Sequence, residues 1–70
     1  MQKVFKTRII LYAIKKIGFI EIRQKGLHLF LEHPDSRTTV IPLHDEIQIG
    51  LLNKIIKEDL KMKKEDFETL

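Results

Sequence analysis

Residues 19–32, FIEIRQKGLHLFLE, decide the fold of this chain. From Phe19 to Gln24 the residues alternate, with Ile20 and Ile22 pointing one way and Glu21 and Arg23 the other. Lys25-Gly26 marks a tight turn, and Leu27 to Glu32 alternates again. Leu27, Leu29 and Leu31 share one face of this second strand, with His28, Phe30 and Glu32 on the other. Pro34-Asp35 suits the centre of a type I turn. Thr38 to Ile41, rich in β-branched residues, predicts a third strand closed by Pro42. Three strands joined by two short turns form an antiparallel meander; by count the leucine-rich face is the better candidate for coverage, and reversed coverage, which would bury His28 and Phe30, is the alternative.

Outside the meander the spacing turns helical. Residues 1–6 are expected to be a loose lead-in. From Thr7, the residues Ile9, Ile10, Ala13, Ile14 and Ile17 fall within one arc, while Arg8, Tyr12, Lys15 and Lys16 lie opposite. Thr7 suits the N-cap and Gly18 the left-handed residue after the last turn. Leu43 to Ile49 is expected to be a loop. Leu51, Leu52, Ile55 and Ile56 then predict a second helix, ending near Glu58 because Asp59 would fall within its apolar arc. A short last helix follows, with Lys63 at its cap and Glu65 and Asp66 in its first turn. Met62 and Phe67 stand at the spacing of a hydrophobic staple across that cap. The expected class is α+β in the order α-β-β-β-α, with helices packed on one face of the sheet and a short C-terminal helix.

Seventy residues allow one domain, spanning 1–70, without room for a nucleotide fold or a deep cofactor pocket. A net charge of +3 and an isoelectric point near 9.3 are compatible with a nucleic-acid partner. The absence of cysteine excludes a disulfide scaffold and a thiolate zinc site. No apolar run approaches the ~20 residues of a membrane helix, since Lys15 and Lys16 interrupt the stretch from Ile9 to Ile17. No signal-peptide pattern opens the chain, so a cytoplasmic location is expected, without membrane attachment. The three histidines are five and eleven residues apart, which matches no metal-ligand spacing, and neither metal nor cofactor is expected.

With this layout in place, the sequence resembles the HicA toxin family, small RNA-cleaving proteins of toxin–antitoxin pairs. The resemblance runs through Ile17-Gly18-Phe19, Arg23-Gln24-Lys25-Gly26-Leu27-His28, His33-Pro34-Asp35 and Thr39-Val40-Ile41-Pro42-Leu43-His44. It continues through Gly50-Leu51-Leu52-Asn53-Lys54-Ile55-Ile56-Lys57 to Glu65-Asp66-Phe67, nearly the whole chain. It implies a fold similar to the double-stranded-RNA-binding domain, in agreement with the element order read above. His28 matches the family's catalytic histidine, so the resemblance implies a metal-independent endoribonuclease cleaving messenger RNA, and a HicB-like antitoxin as protein partner.

Imidazole is the side chain suited to moving protons near neutral pH, and His28 follows a glycine turn that leaves it free to reach a groove. The alternative for His28 is a solvated strand residue. Arg23, Lys25 and Gly26 at the hairpin tip, with Lys54 and Lys57 on the second helix, make up the expected RNA-contacting set; solvated basic surface is the competing reading. His44 and Phe30 are auxiliary candidates, the first for the RNA groove, the second for stacking on a base or meeting a partner. His33 is expected to pack or hydrogen-bond in the Pro34 turn.

The chain departs from the family pattern in three ways. Leu27 stands where the family usually has Ser or Thr, and Asn53 replaces a frequent Arg. Lys61 and Lys63 replace the Gly and Ser that normally end one helix and cap the next, a change of stability worth about 1 kcal/mol per cap. The first two keep open a non-catalytic RNA-binding module on the same fold. A protein-interaction domain without a nucleic-acid role is the third reading.

Overall fold

A computed structural model describes residues 3–70. In chain order the elements are β1 (Val4–Lys6), α1 (Thr7–Ile17), β2 (Ile20–Lys25), β3 (His28–Glu32), β4 (Thr38–Pro42), β5 (Glu46–Gln48), α2 (Ile49–Lys54) and α3 (Lys64–Glu68). A π-helical turn, Ile55–Asp59, continues α2. The meander forms as expected, an antiparallel sheet of order β2-β3-β4. Its covered face is the leucine-bearing one. Leu29, Leu31 and Ile41 are buried in one cluster with Ile10 and Ile14 of α1, Leu52, Ile55 and Ile56 of the second helical segment, Leu60 just after it, and Phe67 of α3. The architecture is α+β, double-stranded-RNA-binding-domain-like, with the helices on one side of the sheet. Among the described residues no helix is long and apolar enough to cross a membrane.

Two short strands depart from expectation. Within the lead-in expected at 1–6, Val4–Lys6 pairs antiparallel with Glu46–Gln48, in the segment expected to be a loop; Met1 and Gln2 lie outside the described residues. The cause is apolar. Phe5 stands opposite Ile47, which is fully buried, so the pair closes the end of the core that the meander leaves open. Runs of three residues carry too little periodicity to be recognised in the sequence.

The expected stops of α1 are half realised. Gly18 takes φ +121° and donates its N–H to the carbonyl of Lys15 at 3.0 Å, as a C-terminal glycine should. Thr7, however, is the first helical residue, with Lys6 at the cap; its buried hydroxyl donates to the carbonyl oxygen of His44 instead of capping the helix. Long-range bonding to the β4–β5 connection has overridden the local cap. Ile9, expected in the apolar arc, is exposed, because the core is met by Ile10 and Ile14.

The second helical segment reaches Asp59, one residue past the expected end. Asp59 is tolerated there because the hydroxyl of the buried Thr39 donates to its carboxylate at 2.8 Å. The turn closes with the N–H of Leu60 on the carbonyl of Ile55 at 2.9 Å and the N–H of Met62 on that of Ile56 at 3.0 Å. Between them Lys61 is held at φ +54°, the left-handed conformation that glycine adopts without strain. Lys63 caps α3 as expected, without a side-chain hydrogen bond, and Met62 and Phe67 both pack on the core.

Candidate nucleic-acid interface

The hairpin turn consists of Gly26 and Leu27, one residue later than the sequence suggests. Gly26 has φ +58° and Leu27 does not share the positive value, the arrangement of a type II′ turn with glycine first. The shift moves Leu27 out of the strand. Its side chain, expected on the covered face, is 60 % exposed in the turn. His28 becomes the first residue of β3, exposed and on the open face of the sheet, since Leu29 and Leu31 point to the helices.

Strand pairing assembles the neighbours of His28. Lys25 stands directly opposite it across the hairpin, and Arg23 stands opposite Phe30. Residues opposite each other in an antiparallel pair share a face, so Lys25, Arg23, His28 and Phe30 all lie on the open side. Alternation alone places Arg23 away from Ile20, and the structure corrects this. The register shifts between Glu21 and Arg23, leaving Ile22 as the extra residue of a β-bulge. Ile20 stands opposite Glu32 on the same face as Arg23, whereas Glu21 stands opposite Leu31 and makes an ion pair with Lys15 of α1 on the helical side.

The guanidinium of Arg23 lies 4.7 Å from the centre of the Phe30 ring. A cation over an aromatic face is held electrostatically, and the half-buried ring thereby fixes the arginine over the sheet. Around this pair Ile20, Ile22 and Val40 are exposed, giving the open face an apolar field beside the two cations. Pro42 lies opposite His28 on the other side, where β4 ends.

The remaining candidates are dispersed. Lys54 and Lys57 are exposed on the helical layer, which packs against the opposite face of the sheet, so the fold does not bring them to His28. His44 is exposed in the connection from β4 to β5 and lines a cleft with Lys6, Thr7, Arg8, Leu11, Leu43 and Asp45. Arg8 was not singled out by sequence reasoning as a functional residue. Its relation to His44 depends on contacts between residues far apart in the chain, which no local pattern carries.

His33 is structural, as expected. Its Nε2 lies 3.2 Å from the carbonyl oxygen of Ile17 and its Nδ1 accepts the N–H of Asp35 at 3.1 Å. The carboxylate of Asp35 holds the guanidinium of Arg37, which also donates to the carbonyl of Leu60 at 2.6 Å. That guanidinium keeps the Asp35 carboxyl below the usual aspartate range. Among the described residues no group of three or more His, Asp or Glu side chains is placed to hold a metal ion.

No curated protein matches the chain. The model of the family described as the HicA toxin of bacterial toxin–antitoxin matches residues 8–59, well over half of the 70 residues and including the whole His28 hairpin. A match of that extent places the chain in the family: it belongs to the HicA toxins.

Proposed function

We propose that this protein is the toxin of a toxin–antitoxin pair and acts as an endoribonuclease on messenger RNA, with His28 as general acid/base. The observation that carries the reading is the grouping of His28, Lys25 and Arg23 on an uncovered sheet face. RNA supplies its own nucleophile. The 2′-hydroxyl loses its proton as its oxygen bonds to the adjacent phosphorus, and the bond from phosphorus to the 5′-oxygen breaks. His28 serves one of the two proton transfers, and solvent, which reaches the exposed rim, serves the other. The charge on the pentacoordinate phosphorus is met by Lys25 and Arg23, the latter held by Phe30. The products are a 2′,3′-cyclic phosphate and a free 5′-hydroxyl. No step requires a metal or cofactor, and a messenger substrate places the reaction in the cytoplasm.

An antitoxin of the HicB type is the proposed protein partner. Ile20, Ile22 and Val40 give it an apolar field to cover beside His28, and covering that field shields the reactive rim.

Incubation of RNA with the purified protein and with His28→Ala, both in EDTA, tests the reading. Cleavage by the unaltered protein alone, ending in cyclic phosphate, is the expected result. Equal retention of intact RNA by both forms overturns the enzyme and leaves an RNA-binding module, which the apolar Leu27 beside His28 would suit. Absence of RNA binding even at low salt leaves only the protein-interaction role.

A further inference from the structure

The cleft holding His44 lies next to the reactive rim without belonging to it. Its volume is about 470 Å³, and its walls are Lys6-Thr7-Arg8 at the start of α1 and Leu43-His44-Asp45 after β4. These walls are tied together. The N–H of Thr7 donates to the carbonyl of Asp45 at 3.0 Å, and the Thr7 hydroxyl donates to the carbonyl of His44. They are tied to the hairpin as well, because the N–H of Leu43 donates to the carbonyl of Leu27 at 2.7 Å. The cleft therefore opens one residue pair beyond His28, and its position relative to His28 is set by backbone bonds.

Charge distinguishes the two walls. Lys6 is 3.6 Å from the carboxylate of Glu46, and Asp45 is the acidic side chain of the lining. Arg8 is exposed and, among the described residues, has no carboxylate within ion-pair distance. An unpaired guanidinium lining a preformed cleft, with the imidazole of His44 on the facing wall, suits an oxyanion with several acceptor atoms.

We infer that this cleft is a second phosphate subsite, in which Arg8, with His44 opposite, takes a backbone phosphate of the RNA strand adjoining the one at His28. The inference rests on the reading of the protein as RNA-binding. It assigns Arg8 a role in strand binding, apart from the reacting phosphate. The path runs from Arg23 and Lys25 on the open face, over the Gly26-Leu27 turn, to Arg8.

The probe is a short single-stranded RNA methylated at every 2′-oxygen, which removes the nucleophile and keeps every phosphate. Its affinity is measured against salt for the unaltered protein, Arg8→Gln, Arg8→Lys and Lys16→Gln. Lys16 is exposed in the last turn of α1, at the far end of the helix, and controls for the loss of one charge. Arg8→Gln is expected to weaken binding several-fold at low salt and to reduce the logarithmic salt slope by about 0.7, the value for one lost single-strand phosphate contact. Arg8→Lys restores the slope, and Lys16→Gln leaves it unchanged. An unchanged slope in Arg8→Gln, an equal fall in Lys16→Gln, or no binding by the unaltered protein overturns the subsite. Cleavage of unmethylated RNA is scored separately. A protein that fails to cleave but shows the Arg8 slope change keeps the subsite and loses the nuclease.

Discussion

The Nε2 of His33 lies 3.2 Å from the carbonyl oxygen of Ile17, sixteen residues earlier in the chain. The neutral ring with its proton on Nε2 satisfies both ends, donating to Ile17 and accepting the Asp35 N–H on Nδ1. Asp35 Oδ1 also lies 3.0 Å from Nδ1. The same ring meets Phe19 edge-on at 5.2 Å between centres. One side chain thus joins the end of α1, the start of the sheet and the β3–β4 turn.

His33→Ala is expected to cost about 1–3 kcal/mol, through the unsatisfied Ile17 carbonyl and the lost packing on Phe19. His28→Ala, at an exposed rim position, is expected to stay within about 0.5 kcal/mol of the parent while abolishing RNA cleavage. Urea unfolding of both variants, beside their cleavage rates corrected for folded fraction, checks the contrast.

Gly18 faces that same ring. A Cβ there would lie 2.9 Å from His33 Nε2, on a backbone at φ +121° that side chains rarely adopt. Gly18→Ala is expected to destabilise by more than about 1 kcal/mol. Combining it with His33→Ala should give less than the sum, because the contact is gone and only the backbone strain remains. A double-mutant cycle on urea midpoints reads the difference.

Lys61 offers the opposite change. Its φ of +54° is strained for a lysine and free for glycine, so Lys61→Gly should stabilise by about 0.5–1 kcal/mol despite the added freedom of the unfolded chain. Lys63→Ser, at a cap without a side-chain bond, should add about 0.5–1 kcal/mol. Both gains appear as higher thermal midpoints.

Asp35 sets a pH dependence. Its hydrogen bond from Arg37 holds its folded pKa below the ordinary aspartate value of 3.8, against a weaker opposing effect of desolvation. The unfolded state therefore binds the proton first as pH falls. The stability this group contributes is complete above the ordinary aspartate range and is lost as pH drops through the folded value. Asp35→Asn should lower stability at pH 7 and flatten its decline below pH ~4. Urea midpoints from pH 7 to ~2.5 test this.

Strong periodicity made the meander, α1 and the second helical segment legible, and the leucine count on β3 favoured the face that is covered, although Leu27 itself lies in the turn. Asp59 shows what a residue pattern omits. A carboxylate in an apolar arc reads as a helix end unless a donor is known, and Thr39, twenty residues away, supplies one. β1 and β5 were hidden for a related reason, since three-residue strands exist only through their pairing with each other. Around the candidate site, the exposed place of His28 beside a glycine turn was legible. The facing of Arg23 was not, because alternation is counted along one strand and a bulge resets the count.

That bulge divides β2 into two halves whose alternation is offset by one residue. Ile20 and Glu21 pair with Glu32 and Leu31 on one side of it, Arg23 and Lys25 with Phe30 and His28 on the other, and Ile22 carries the change of parity. Both halves lie on one partner strand, so the bulge is what puts Arg23 and Ile20 on the same face as His28. Without that single extra residue the cation over Phe30 would sit among the helices.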